Sequence, residues 1–141
     1  MTHSAVRAFD STIQTTNIWL HDIQGRLGWA ETYRAYHALR AVLHALRDRL
    51  PVDQAAALAA QLPMLVRGFY YEGWRPHGKP IKERHKEEFL AHVAQAFLDD
   101  FTVEPEKVTR VVLGVLAEHV SPGEIEAAKS CLPAELRELW P

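Results

Sequence analysis

The chain has 141 residues, 48% hydrophobic and 24% charged, which supplies apolar side chains for one folded body or two half-domains sharing a core. Its 16 Lys and Arg against 18 Asp and Glu leave a net charge of −2, which excludes a general attraction to nucleic acid or anionic lipid and leaves only local patches. The single cysteine, Cys131, excludes an internal disulfide and points to a reducing, cytoplasmic setting, and no apolar run approaches the roughly 20 residues of a membrane helix.

The opening Met1–Arg7 lacks the apolar stretch of a secretory leader. Ile13, Thr16, Leu20, Ile23 and Leu27 follow at three- and four-residue spacing and predict a first helix, capped at Asp10 or Ser11 and stopped at Gly28. A second helix is expected over Glu31–Arg49, with Leu39, Val42, Leu43, Leu46 and Leu50 inward and Pro51 as its breaker. The Ala-rich Val52–Gln61 predicts a short third helix, and Pro63 opens a fourth that carries Leu65, Val66, Phe69 and Tyr70. Two prolines and a glycine make Trp74–Pro80 irregular. A long helix is then expected over Glu83–Asp99, with Phe89, Leu90, Val93 and Phe97 inward. Pro105 marks the start of the next, carrying Val108, Val112, Val115 and Leu116. Ser121-Pro-Gly-Glu124 reads as a capping box, and Pro133 opens a last helix ending at Trp140. Nothing alternates with period two, so no sheet is expected.

The second half repeats the first at an offset of 70 positions. Leu20 aligns with Leu90, Ile23 with Val93, Arg40 and Leu43 with Arg110 and Leu113, Leu62-Pro63 with Leu132-Pro133, Arg67 with Arg137, and Tyr70 with Trp140. The fold expected is therefore all-α: two similar four-helix units at 9–74 and 82–141, joined by a linker at 75–81 and packed into one compact helical body.

Most matched positions are apolar and read as core. The matched arginines, Arg40, Arg110, Arg67 and Arg137, carry five fixed donors each. They read as structural, meeting carboxylates or helix-end carbonyls, with lining of an anion site as the alternative. The segment 69–86 interleaves Phe69, Tyr70, Tyr71 and Trp74 with Arg75, His77, Lys79, Lys82, Arg84, His85 and Lys86. Tyr70, Tyr71, Trp74, Arg75 and Lys79 are the candidate surface for a protein partner or for self-association. The same segment offers weak nucleic-acid or anionic-surface binding as a rival reading. A third reading is a metal-dependent enzyme built on His85, Glu88 and His92, which share a helical face at spacings of three and four. The sequence contains no H-E-x-x-H, C-x-x-C, G-x-S-x-G or Gly-rich phosphate loop. No cofactor and no catalytic residue are expected. Cys131 stands opposite Gln61 in the repeat, which argues against a needed thiol.

The segments Thr16–Leu20, Ala38–Leu50, Ala60–Trp74, Val120–Glu126 and Leu132–Trp140 resemble a bacterial family, the domain-of-unknown-function family 2267, over nearly the whole chain. The Gln61-Leu-Pro…Tyr70-Tyr-Glu-Gly-Trp74 stretch carries most of the resemblance. It implies a small all-helical bacterial protein and implies no catalytic residue or cofactor. The functional expectation is a non-enzymatic interaction or adaptor protein.

Overall fold

The computed structural model describes residues 6–141; the Met1–Ala5 part of the leader reading lies outside the described residues. The described residues form α-helices and short turns with no strand: α1 (Arg7–Leu27), α2 (Thr32–Arg49), α3 (Val52–Ala59), α4 (Met64–Tyr71), α5 (Lys86–Ala94), α6 (Pro105–His119), α7 (Pro122–Ser130) and α8 (Ala134–Arg137). None of these helices is long and apolar enough to cross a membrane.

α1 buries Thr16, Trp19, Leu20, Ile23 and Leu27 and ends at Gly28, whose φ of 70° lets its N–H turn back onto the carbonyls of Gln24 and Gly25. Its start differs from the expected cap at Asp10 or Ser11. The helix begins three residues before Asp10, behind an extended Val6, because Arg7–Asp10 contains no breaker and an acidic Asp10 in the first turn suits the helix dipole. α2 buries Leu39, Val42, Leu43 and Leu46 and stops at Leu50-Pro51. α6 presents Val108, Val112, Leu113, Val115 and Leu116 as its buried side. Each such leucine or valine contributes about 1.5–3 kcal/mol relative to exposure. α1 packs on α2, α4 and α6; α2 packs on α4, α5 and α6; α3 packs on α7; and α5 packs on α6 and α8.

The expected long helix over Glu83–Asp99 is divided. Residues 83–85 are not helical, His85 is extended, and α5 starts only at Lys86, because the Glu88 carboxylate reaches back to accept from the His85 N–H at 3.0 Å. After Ala94 the chain tightens into a 3-10 turn at Gln95–Phe97. The last helix ends at Arg137 instead of Trp140, since Leu139 and Trp140 bond three residues back, to Leu136 and Arg137. Pro63 and Pro133 stand at the N-cap, one position before the helices they introduce.

The capping box at Ser121 is half formed. The Ser121 hydroxyl accepts from Glu124 N–H, but the Glu124 carboxylate accepts instead from Gln54 of α3 at 2.6 Å. The free Ser121 N–H is taken by the Gln61 side-chain oxygen at 2.9 Å.

Candidate interaction groove

The inward stripe of α1 continues beyond the helices that cover it. Phe9 stands in helical register with Leu27, about five turns away, and Ile13 with Leu20. Leu20 and Leu27 are buried, whereas Phe9 and Ile13 are 50% and 36% exposed. The first two turns of α1 thus present a partly exposed apolar face. α4 runs beside this overhang and is tied to it by Thr12, whose hydroxyl accepts from the Leu65 N–H at 2.9 Å. That bond satisfies one of the orphan donors at the start of α4. It also sets Leu65, 43% exposed, and the exposed Met64 next to the apolar turns of α1.

Between α1, α2 and α4 lies a groove of about 580 Å³ with a mainly apolar lining, in which Ile13, Leu20, Tyr36, Leu65, Phe69 and Tyr71 take part. Tyr36 meets Phe69 edge-on, with ring centroids 5.3 Å apart, which fixes both rings. One end of the groove is polar. Glu72 lines it and accepts from Arg40 Nη2 at 2.5 Å and Nε at 3.1 Å. The guanidinium holds the Glu72 carboxyl below the usual carboxylate range. The groove therefore offers apolar walls, two half-exposed aliphatic rims and one charged end. Among the described residues that line it, no nucleophile is set beside a base.

The candidate partner residues are distributed differently from the sequence reading. Tyr70 is fully buried, and its hydroxyl donates to the Ala55 carbonyl at 2.8 Å. Desolvation pushes that hydroxyl's pKa well up. Tyr70 is a core residue and cannot meet a partner in this fold. Tyr71 lines the groove, and Trp74 packs against it with ring centroids 5.3 Å apart and planes tilted by 33°, both partly buried against the core. Arg75 is exposed and Lys79 half-buried, on the irregular segment that follows. The interleaved basic-aromatic surface is not assembled, because Phe69 and Tyr70 are buried and the rings of Tyr71 and Trp74 pack against each other. Its cations remain, without its stacking platforms.

The matched arginines meet protein groups. Arg67 donates to the carbonyls of Ala59 and Leu62, both at 2.9 Å, and Arg137 donates to the carbonyl of Leu132 at 2.6 Å. Arg110 donates to the Glu106 and Glu138 carboxylates at 3.0 and 2.6 Å and to the Glu138 carbonyl at 2.9 Å. Arg40, paired with Glu72, also lines a polar cleft of about 370 Å³ beside α2 and α5 with His44, Arg47, Asp48 and His92. In that cleft the buried Arg47 is spent on Asp48 and on the carbonyls of Tyr70 and Glu72. His44 Nε2 lies 2.6 Å from the Phe69 carbonyl, and burial lowers its pKa.

His85, Glu88 and His92 do not converge on one point. His85 Nδ1 meets Glu135 at 2.8 Å, His92 Nε2 meets Glu83 at 2.8 Å, and Glu88 caps α5. Their shared face is broken by the late start of α5, which leaves His85 outside the helix. Among the described residues no three His, Cys, Asp or Glu side chains come together in a metal-ligating cluster.

Phe9 and Met64 escaped the sequence reading, and Ile13 and Leu65 were read as helix-face residues. The readable signal was the length of the α1 stripe, which exceeds what α2 can cover once the chain turns at Gly28. The family described as "Uncharacterized conserved protein (DUF2267)" matches residues 16–139. No curated protein matches the chain.

Proposed function

The chain belongs to the DUF2267 family, and we propose that it is a non-enzymatic interaction protein whose α1–α4 groove receives an apolar segment of a protein partner or of a second copy. The observation that supports this reading is the overhang of α1, where Phe9 and Ile13 continue a buried stripe into open solvent. Contiguous apolar surface of this kind favours association. A groove of about 580 Å³ has room for a few side chains. The Glu72–Arg40 pair at its end gives the partner a polar group to orient against. The adaptor reading extends this: a body that holds an apolar segment in this groove brings partners together.

We further propose that the body is a tandem duplication, with units at 9–74 and 82–141. Two observations support it. Arg67 and Arg137 bond the equivalent carbonyls of Leu62 and Leu132. The packing of α1 on α6 and of α5 on α2 exchanges when the two halves are exchanged.

The test places a photoreactive amino acid at Ile13 or Leu65 in cells and, as a control, at the exposed Glu126 of α7. Discrete adducts are expected from the groove positions, at twice the chain mass if the partner is a second copy. Adducts no more frequent than those from Glu126 would remove the reading.

A further inference from the structure

Arg49, at the end of α2, is only 8% exposed. Its Nε donates to the Glu83 carbonyl at 2.5 Å, and this is the one hydrogen bond its side chain makes among the described residues. No described carboxylate pairs with it. Asp48, the residue before it, is paired with Arg47, and the Glu83 carboxylate is turned to His92. A guanidinium stays charged at every physiological pH, so it cannot escape the cost of burial by losing its proton. A buried charge without a directly bonded counter-charge is unfavourable.

The residue after Glu83 makes the imbalance larger. Because the Arg49 guanidinium touches the Glu83 carbonyl, the backbone of Arg84 lies within one side chain's reach of it. Arg84 is exposed and makes no ion pair or hydrogen bond with the described residues. Three residues beside it are engaged elsewhere: Glu83 with His92, His85 with Glu135, and Lys86 with Glu106. The Arg84 charge therefore opposes that of Arg49 and adds to its desolvation, and the Glu83 carboxylate, which attracts Arg49, is shared with His92.

We propose that Arg49 and Arg84 form a binding site for a phosphate group, either inorganic phosphate or a small phosphate monoester. A phosphate near its dianionic form matches two cations in charge, and its oxygens match the paired donors of a guanidinium. A single carboxylate neutralises only one of the two. The site lies where the end of α2 meets the segment before α5 and is independent of the α1–α4 groove.

The experiment is thermal unfolding of the full chain in inorganic phosphate and, separately, in glycerol phosphate, each against potassium chloride at equal ionic strength. It is repeated on Arg84→Gln, an exposed substitution that leaves the core untouched, and on Arg49→Lys. Binding is expected to raise Tm saturably, by about 4 °C at roughly ten times Kd, and Arg84→Gln is expected to abolish the rise. Phosphorus NMR line broadening on the same samples reads occupancy without relying on stability. The arm with the lower Kd tells free phosphate from a monoester. A rise no larger than in chloride, or one that Arg84→Gln retains, overturns the site.

Discussion

Gln61 and Ser121 hold each other through two reciprocal hydrogen bonds across 60 residues of sequence. The Gln61 oxygen accepts from the Ser121 N–H at 2.9 Å, and the Gln61 nitrogen donates to the Ser121 hydroxyl at 3.0 Å. A residue at the end of α3 thus does for the start of α7 what Glu124 does in an ordinary capping box. Gln61→Ala should therefore destabilise the fold by about 1 kcal/mol, although the side chain is exposed. Hydrogen exchange at the first turn of α7 should rise with it, as read by amide exchange NMR. An unchanged Tm with unchanged exchange would show that water replaces the amide without loss.

Arg67→Ala should cost more than Arg137→Ala, despite their matched positions. Arg67 is half-buried and holds two carbonyls of the Ala59–Leu62 turn at 2.9 Å and a third, that of Ala60, at 3.4 Å. Arg137 is exposed and holds one. The expected losses are about 1–3 kcal/mol for Arg67 and less than half of that for Arg137, measured by urea unfolding. Arg67→Lys should recover only part of the loss, because an ammonium lacks the planar fork.

Gly28→Ala should lower stability by about 1 kcal/mol through the backbone alone. A Cβ there meets nothing within 4 Å, so sterics with neighbours play no part. The left-handed φ of 70° is the whole cost. Thermal unfolding of the Ala variant measures it, and Asn should lose less than Ala.

His44 and His85 should titrate on opposite sides of their ordinary value of 6.5. Burial lowers His44, while the hydrogen bond to Glu135 raises His85. The signs on stability differ accordingly. The His44 contribution is whole above 6.5 and is lost as pH falls through its folded pKa, since the unfolded chain takes up the proton first. The His85 contribution is whole below 6.5 and is lost as pH rises through its folded pKa. Ring NMR titration should place the His44 midpoint lower and the His85 midpoint higher, and Glu135→Gln should bring His85 back toward 6.5. The reverse order of midpoints would contradict the geometry at both sites.

The helices were legible because their signals are local. The spacing of Leu39, Val42, Leu43 and Leu46, the glycine after Leu27 and the prolines before α3, α4 and α8 each act within a few residues of where they stand. Where a local signal met a distant group, the reading failed. Ser121-Pro-Gly-Glu124 reads as a closed capping box, yet Gln54 draws the Glu124 carboxylate away and Gln61 fills the vacancy. His85, Glu88 and His92 share a helical face on paper, but the distant Glu135 takes the His85 ring while Glu88 caps the helix.

Exposure was the quantity the sequence withheld. Tyr70 and Tyr71 are adjacent aromatics, and only the packing of α4 on α2 and α1 puts the first in the core and the second in a groove. Phe9 and Leu27 lie on one stripe of α1, and only the reach of the neighbouring helices decides which is covered. The sequence by itself determined the helices, their inward faces and where most of them stop, because backbone conformation answers to nearest neighbours along the chain. Tertiary structure alone decided which apolar faces stay open and which charges stay unpaired, because burial and charge compensation depend on groups brought together from distant parts of the chain.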